Sequence, residues 1–307
     1  MKEVALEAIA RMGQRLSFES VERLGAGLGK LLWAVLKSRR ELATEAVEHQ
    51  LQVSRGEAER IARESFMHSG RSFVEIFKSR DVDWGFAHQK IKIADPEAFE
   101  RVRTADAPVV VATAHMGAWE LLTGMLELYA SNDVPKAVVV RRPRGDALAN
   151  VMKSLRTQPN VEIFHHRNVA LKVLRVLRKK GMVGFLVDHN CSTSEAVFLP
   201  FLRDFAAVNM GPALLALRSK AYVCPVFLLR DGNGAFEVHC EEMLDTRELT
   251  GSREERIQKV CEFYTGAVQR IVQLYPEQWF WMHKRWKTQP AKDWEFPGLF
   301  LEERGLK

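Results

Sequence analysis

Short apolar runs rich in β-branched residues recur along the chain from about residue 90, and segments with helical spacing alternate with them. The runs occupy residues 91–94, 109–113, 137–140, 161–164, 182–187 and 222–229. Runs of this length between helices are typical of strands buried in a sheet that carries helices on its faces. The pattern predicts an α/β fold with a mixed, largely parallel central sheet flanked by helices.

The residues before this alternation have a different pattern. Apolar positions such as Leu24, Leu28 and Leu31 follow helical spacing, and no strand-like run interrupts them. This difference predicts two domains, a helical N-terminal section over residues 1–85 and an α/β domain over residues 86–307.

Local signals place several boundaries more closely. A capping-box pattern, Ser54 followed by Glu57, predicts a helix start, and a last helix is predicted at residues 252–275, before Pro276. Residues 189–209 carry few regular signals and predict a long connection, which in a compact domain is usually functional or mobile.

The charge balance restricts the kind of partner. The 307-residue chain has 45 Lys and Arg against 39 Asp and Glu, a net charge of +6 and a pI near 9.2. Such a balance favours anionic partners, namely phospholipid headgroups, phosphorylated glycolipids, an acidic carrier protein or nucleic acid. Charge alone does not choose among them.

The cysteines and histidines show no metal-binding pattern. The four cysteines lack a C-x-x-C pair and are interpreted as reduced thiols. His165 and His166, taken with His189, lack the spacing of a tetrahedral site. We therefore expect no metal and no disulfide framework.

The most apolar N-terminal stretch, residues 24–36, contains Lys30 and is too short to span a bilayer, and no secretory signal precedes it. It lies between Arg23 and a basic cluster that includes Lys37 and Arg39. Two interpretations stay open: the helices pack on the core, or they lie in a membrane interface next to anionic headgroups.

A buried-strand pattern at residues 109–113 runs directly into His115, with Glu120 five residues later. The carboxyl end of a strand is where α/β folds place reactive groups. In the first turns of a following helix, Glu120 could hydrogen-bond the imidazole and hold one tautomer ready to accept a proton. No G-x-S-x-G elbow is present, so the nucleophile is expected to be the substrate's own hydroxyl. The alternative is a structural histidine hydrogen-bonded in a loop.

His115 and Glu120 resemble the H-x4-D/E motif of glycerolipid-type acyltransferases, and further segments follow in order. They are Val-Arg-Arg-Pro at 140–143, Val-Asp-His-Asn at 187–190 and Pro-Glu-Gln-Trp-Phe-Trp-Met-His-Lys-Arg-Trp-Lys-Thr-Gln-Pro at 276–290. Over about residues 90–290 the chain is similar to the lipid A biosynthesis late acyltransferase family.

The resemblance implies transfer of a fatty acyl chain from an acyl carrier protein thioester, or from acyl-CoA, to a hydroxyl of a lipid A precursor in lipopolysaccharide biosynthesis. It implies His115 as general base and Glu120 as its orienting acid, with no cofactor beyond the acyl donor. It also implies a peripheral or monotopic protein at the cytoplasmic face of the bacterial inner membrane, in contact with the carrier protein, the anionic glycolipid and the membrane surface.

Four further residues are candidates for binding substrate. Arg141 and Arg142 could clamp a phosphate of lipid A or of phosphopantetheine, with Arg142 favoured, and Arg285 keeps the same bidentate capacity. Asp188, at a strand end, could hold Arg142, Arg285 or the neighbourhood of His115 in register. The competing interpretations are solvated arginines or internal ion pairs, and a capping carboxylate.

Other functions remain as alternatives. The acceptor could be a phosphatidylinositol mannoside or a lysophospholipid, or the chain could be a non-catalytic lipid-binding protein of the same fold. Tryptophans interleaved with basic residues at 279–287 also occur in single-strand nucleic-acid grooves, but without a nucleic-acid-binding motif we expect no such partner.

Overall fold

The computed structural model describes residues 2–131 and 133–291. Helices form the first part of the chain, as the spacing predicts. They are α1 (Lys2–Gln14), α2 (Phe18–Val35), α3 (Lys37–Leu51), α4 (Arg55–Glu75) and α5 (Trp84–Lys90). Ser54 caps α4 by accepting a hydrogen bond from the amide of Glu57 at 3.3 Å, so the predicted helix start is confirmed.

Helices α2 and α4 approach each other closely because glycines face one another. A Cβ atom on Gly70 would lie 2.5 Å from the amide nitrogen of Gly29, so no larger residue fits there. The opposite face of α2 exposes Leu24, Leu31 and Val35, each more than half accessible. In the described part of the chain, no helix combines the length and the apolar character needed to cross a membrane.

Within residues 2–131 and 133–291 the central sheet has eight strands. Its main path runs β1-β9-β8-β2-β5-β3-β4, and β10 pairs with β8. The strands are β1 (Ile91–Ile93), β2 (Val109–Thr113), β3 (Lys136–Val140), β4 (Val161–His165), β5 (Met182–Leu186), β8 (Tyr222–Arg230), β9 (Phe236–Cys240) and β10 (Leu244–Asp245). Strands β8, β2, β5, β3 and β4 are parallel, while β9 and β10 run antiparallel to β8. The predicted mixed, largely parallel sheet is confirmed.

Helices cover both faces of this sheet. They are α6 (Pro96–Arg103), α7 (Leu122–Tyr129), α8 (Asp146–Arg156), α9 (Ala170–Leu177), α10 (Gly211–Ser219) and α11 (Arg253–Leu274). Helices α6 and α7 pack with Val109 and Met182 on one face, and α9, α10 and α11 pack with Val110 and Val183 on the other. Residues of α3 and α4 join this second core, while the division at residue 85 stays a prediction and residues 292–307 lie outside the described part.

The long connection expected at residues 189–209 contains a β-hairpin, so that expectation was wrong. Strands β6 (Ala196–Phe201) and β7 (Asp204–Asn209) pair antiparallel. At its tip Leu202 has φ 58°, and the amides of Leu202 and Arg203 donate to the side chains of Gln269 and Gln50 at 2.7 and 2.9 Å. Distant helices therefore supply the contacts that hold the turn, which a local sequence pattern does not reveal.

Candidate active site

Three of the predicted site residues follow neighbouring parallel strands and so meet at one edge of the sheet. His115 follows β2, Asp188 follows β5 and Arg141 follows β3. The backbone amide of His115 donates to Asp188 Oδ2 at 2.9 Å, and His115 Nδ1 lies 2.9 Å from Asp188 Oδ1. The strand order thus joins two residues that are 73 positions apart in sequence.

The loop that carries His115 is fixed from both sides. Gly117 has φ 56°, and a Cβ atom there would lie 2.1 Å from the carbonyl oxygen of Leu228, so only glycine fits. The amide of Gly117 donates to the carbonyl of Gln278 at 3.1 Å, and the amide of Phe280 donates to the carbonyl of His115 at 3.0 Å. The tryptophan-rich segment at residues 276–286 therefore holds the loop that carries His115 in place.

Asp188 is a buried carboxylate with several donors. It is 2% exposed, and besides His115 it accepts a hydrogen bond from the indole Nε1 of Trp279 at 2.9 Å. Burial alone would raise the pKa of Asp188, but the facing His115 and the hydrogen bonds hold that pKa below its usual range. Asp188 is therefore ionised at neutral pH and only accepts hydrogen bonds.

The ionised carboxylate sets the tautomer of His115, because Nδ1 must carry the proton that it donates to Asp188. Nε2 is then left as the basic nitrogen on a side chain that is 30% exposed and lines a large cavity. Burial lowers the pKa of His115, but the attraction of Asp188 outweighs it, and the pKa is raised above its ordinary value. This arrangement suits a general base.

Glu120 does not orient His115, so the expected hydrogen bond was wrong. No hydrogen bond joins the two side chains within the described residues. Both carboxylate oxygens of Glu120 instead accept from Arg156, from Nε at 2.8 Å and from a terminal nitrogen at 2.6 Å. The side chains of Glu120 and Arg156 are only 10% and 12% exposed, and both line the same cavity as His115.

Arg156 is the site residue that the sequence interpretation missed. It is the last residue of α8 and contacts Glu120 across 36 positions of sequence. A basic residue in the last turn of a helix is ordinary, so the single sequence offers no signal that would single it out.

The three arginines proposed to bind substrate lie in different places. Arg141 lines the cavity. Arg142 is exposed and pairs with Asp146 one helical turn away. Arg285 is 1% exposed, donates to the carbonyl of Ala207 at 2.6 Å and lies over the ring of Phe201. Neither Arg142 nor Arg285 lines the cavity, so neither is placed to bind a phosphate there.

The cavity has a volume of about 1560 Å³, and its lining includes His115 at the edge of the sheet. One part of it, which we call the first limb, lies between the sheet and helices α6 and α7. Its walls are mostly apolar and include Val111, Val138 and Gly184 of the sheet, with Phe99, Met125 and Tyr129 on the helices. Arg103 of α6 also lines it and is paired with Glu100. The first limb therefore matches a long hydrocarbon chain.

A second part, the second limb, lies on the opposite face of the sheet between α9, α10 and α11. Leu174, Leu214 and Ile257 line its length. His115 lines the cavity to which both limbs belong, so two extended groups on either side of one reacting atom could be bound together.

Comparison with known proteins identifies the family of this chain. The family model described as bacterial lipid A biosynthesis acyltransferase matches residues 5–288. The lipid A biosynthesis lauroyltransferase of Escherichia coli (strain K12) is 24% identical over 292 residues, covering 90% of this chain and 88% of that protein. The palmitoleoyltransferase of the same organism is 22% identical over 274 residues, covering 87% and 85%. Since the family model spans nearly the whole length, this chain belongs to the bacterial lipid A biosynthesis acyltransferase family.

Proposed function

We propose that this acyltransferase takes a fatty acyl group from a thioester of acyl carrier protein, or from acyl-CoA, and transfers it to a hydroxyl of an anionic lipid A precursor. The observation that carries the proposal is the His115–Asp188 pair, which opens on a cavity with a long apolar limb. His115 acts as the general base.

The reaction needs no covalent enzyme intermediate. Nε2 of His115 removes the proton of the acceptor hydroxyl as its oxygen attacks the thioester carbonyl. The tetrahedral oxyanion collapses, the carbon–sulfur bond breaks, and the proton passes from His115 to the departing thiolate. Asp188 stabilises the imidazolium that forms between these steps.

The oxyanion requires a positive charge beside it, and Arg156 is a largely buried cation that lines the cavity. It lies close enough to His115 to lower the pKa of His115, while Glu120 raises it. We assign Arg156 to stabilise the developing negative charge and Glu120 to hold its guanidinium in one orientation by the bidentate contact.

The first limb is proposed to hold the donor's acyl chain. Gly184 lies in its wall, and a Cβ atom there would come 3.2 Å from Val138. Gly184→Ala should therefore favour transfer of shorter acyl chains, as measured by mass spectrometry of the products. Gly27→Ala, where no atom lies within 4 Å of the added Cβ, should leave the chain length unchanged. An unchanged profile in Gly184→Ala would place the chain elsewhere.

Membrane attachment is proposed through the face of α2 that exposes apolar side chains. Leu24, Leu31 and Val35 are exposed there, and Lys30 and Lys37 are exposed nearby. Apolar side chains flanked by lysines match the boundary of an anionic bilayer. A Leu31→Gln, Val35→Gln variant should float less with anionic vesicles than the wild type, and equal flotation would contradict this attachment. The cytoplasmic face of the inner membrane follows from the carrier-protein donor.

The test is mass spectrometry of a tetra-acylated lipid A precursor incubated with the protein and carrier protein loaded with mixed fatty acids. The wild type should add one acyl mass and His115→Ala should add none, while both keep the same thermal unfolding midpoint. Equal acylation by both would remove His115 from the mechanism. Binding of the lipid by both, with transfer by neither, would favour the non-catalytic lipid-binding alternative.

A further inference from the structure

The second limb runs along the whole length of α10. Gly211, Leu214, Leu215 and Arg218, which share one face of this helix by their i, i+3, i+4, i+7 spacing, all line the cavity. Leu174 of α9 faces them across the limb. The limb is therefore an apolar channel with an arginine at one end.

That arginine lies at the end far from His115. Strand β8 follows α10 directly and begins at Tyr222, which pairs with Val109 at the start of β2, whereas His115 follows the end of β2. The nine residues of α10 rise about 13 Å at 1.5 Å per residue. Arg218 is thus separated from the catalytic edge of the sheet by about one helix length.

The packing of α11 against α10 places two more arginines at this end. Tyr264 of α11 donates to the carbonyl of Asn209, just before α10 begins, at 2.7 Å, and Thr246, which precedes α11, donates to the carbonyl of Ala221, just after α10 ends, at 2.7 Å. The two helices are therefore antiparallel. Arg253 and Arg256, one turn apart in the first turns of α11, line the same end of the cavity.

None of these three arginines, which we call the arginine cluster, pairs with a carboxylate among the residues that the structure describes. Arg256 makes only a 3.4 Å contact with the carbonyl of Ser252. The nearby carboxylate of Glu255 accepts from the amide of Ser252 at 2.6 Å in the helix cap. By contrast, Arg247 pairs with Asp245 and Arg270 of α11 pairs with Glu241. The arginine cluster therefore keeps its donors available for an anion.

This charge pattern distinguishes the two limbs. A hydrocarbon chain ends in a methyl group, which suits the end of the first limb, where Arg103 is already paired with Glu100, and not three guanidinium groups without an acid. A ligand that fits the second limb must be extended and neutral along its middle and must carry an anion at the end remote from the reacting carbon. A pantetheine thioester has this construction, since an amide-containing arm separates its sulfur from a phosphate.

We infer that the second limb holds the pantetheine arm of the acyl donor and that Arg218, Arg253 and Arg256 bind the phosphate at its end. The inference rests on the proposed function, because it places the thioester carbonyl at His115 with the acyl chain in the first limb and the arm in the second. Guanidinium groups match phosphate oxygens in bidentate hydrogen bonds. The same phosphate occurs in acyl carrier protein and in coenzyme A, so both donors are expected to use the site.

The first experiment measures binding without turnover, so it does not depend on the proposed reaction. Calorimetry compares coenzyme A with pantetheine, which lacks the phosphate, on the wild type, on Arg253→Ala/Arg256→Ala, and on Arg175→Ala. Arg175 is an exposed arginine of α9 outside the cavity and serves as the matched control. The double variant should bind coenzyme A roughly tenfold or more weakly, pantetheine as the wild type does, and Arg175→Ala should change neither.

The second experiment measures transfer with three donors. The double variant should raise KM for acyl carrier protein and acyl-CoA thioesters and leave KM for the lipid acceptor unchanged. An acyl N-acetylcysteamine thioester, which has no phosphate, should be used equally well by variant and wild type. Equal losses with that short donor, a raised KM for the acceptor lipid, or an effect confined to the carrier protein would each overturn the phosphate site.

Discussion

Two carboxylates lie in the same cavity and have different partners. Asp188 is buried, is bonded to His115 and holds a depressed pKa, whereas Glu120 is bonded through both oxygens to Arg156. Glu120 is five residues from the histidine and Asp188 is 73 residues away. The carboxylate that pairs with His115 is therefore determined by the parallel pairing of β2 with β5 and not by distance along the chain.

From the H-x4-E spacing, one carboxylate, Glu120, is expected to orient His115. In the structure Asp188 pairs with His115, and Glu120 pairs with Arg156. A carboxylate that orients imidazole governs its tautomer and its basicity, while a carboxylate that holds a guanidinium governs where a positive charge is placed. If this division is right, substitutions of the two acids differ in the size of their effect on rate, on pH dependence and on stability.

The largest effect is expected for Asp188→Asn. The amide cannot accept from His115 as an ionised carboxylate does, so the imidazole loses its fixed tautomer and its partner in the charged state. We expect kcat to fall by a factor on the order of 10³ to 10⁴, with a loss of about 1–3 kcal/mol in unfolding free energy, because the buried cation Arg285 loses the attraction of Asp188. Steady-state kinetics and chemical denaturation measure both, and near wild-type turnover would show that Asp188 does not orient the base.

The pH profile of the same variant sharpens the assignment. Asp188 raises the pKa of His115, so wild-type kcat/KM should increase as pH rises through a value above about 6.5, the ordinary histidine pKa. In Asp188→Asn this acid limb should move to lower pH. The sign for stability is opposite: protonated His115 stabilises the folded chain below its unfolded pKa, and this contribution is lost as pH rises through the folded pKa. An acid limb that stays in place would mean that another group titrates.

Glu120→Gln should affect the ion pair with Arg156 and not the His115–Asp188 pair. Its removal leaves the guanidinium of Arg156 buried without its counter-charge, at a cost of about 3 kcal/mol in unfolding free energy. Turnover should fall by roughly a hundredfold, because the cation stays in the cavity but loses its fixed orientation. Addition of Arg156→Gln should recover part of the stability without recovering the rate, and a double variant as unstable as the sum of the two singles would contradict the pairing.

The sequence predicts much of this molecule and fails where contacts are distant. The parallel strands, the cap at Ser54 and the position of His115 follow from local pattern. For Asp188 the sequence leaves four interpretations open, a partner for Arg142, for Arg285 or for the neighbourhood of His115, or a capping carboxylate, and only the strand order chooses among them. The place of Arg156 in the site and the hairpin at residues 196–209 depend on contacts with segments that are remote in sequence. A local sequence pattern does not reveal such contacts.

The smallest effect is expected for two neighbouring residues, Arg141 and Arg142, whose partners also differ although they are adjacent in sequence. They differ by one position, yet Arg141 lines the cavity and Arg142 pairs with Asp146 on the surface. We expect Arg141→Ala to raise KM for the phosphorylated acceptor several-fold, because a charge-assisted hydrogen bond to phosphate is lost. Arg142→Ala removes an exposed i, i+4 ion pair worth about 0.3–0.5 kcal/mol and should leave KM unchanged. The pair is its own control, since both variants remove one positive charge from the same turn and alter long-range attraction of the anionic lipid equally. Equal increases in KM would mean that the surrounding charge, and not contact with the cavity, attracts the acceptor, and a larger effect of Arg142→Ala would reverse the assignment.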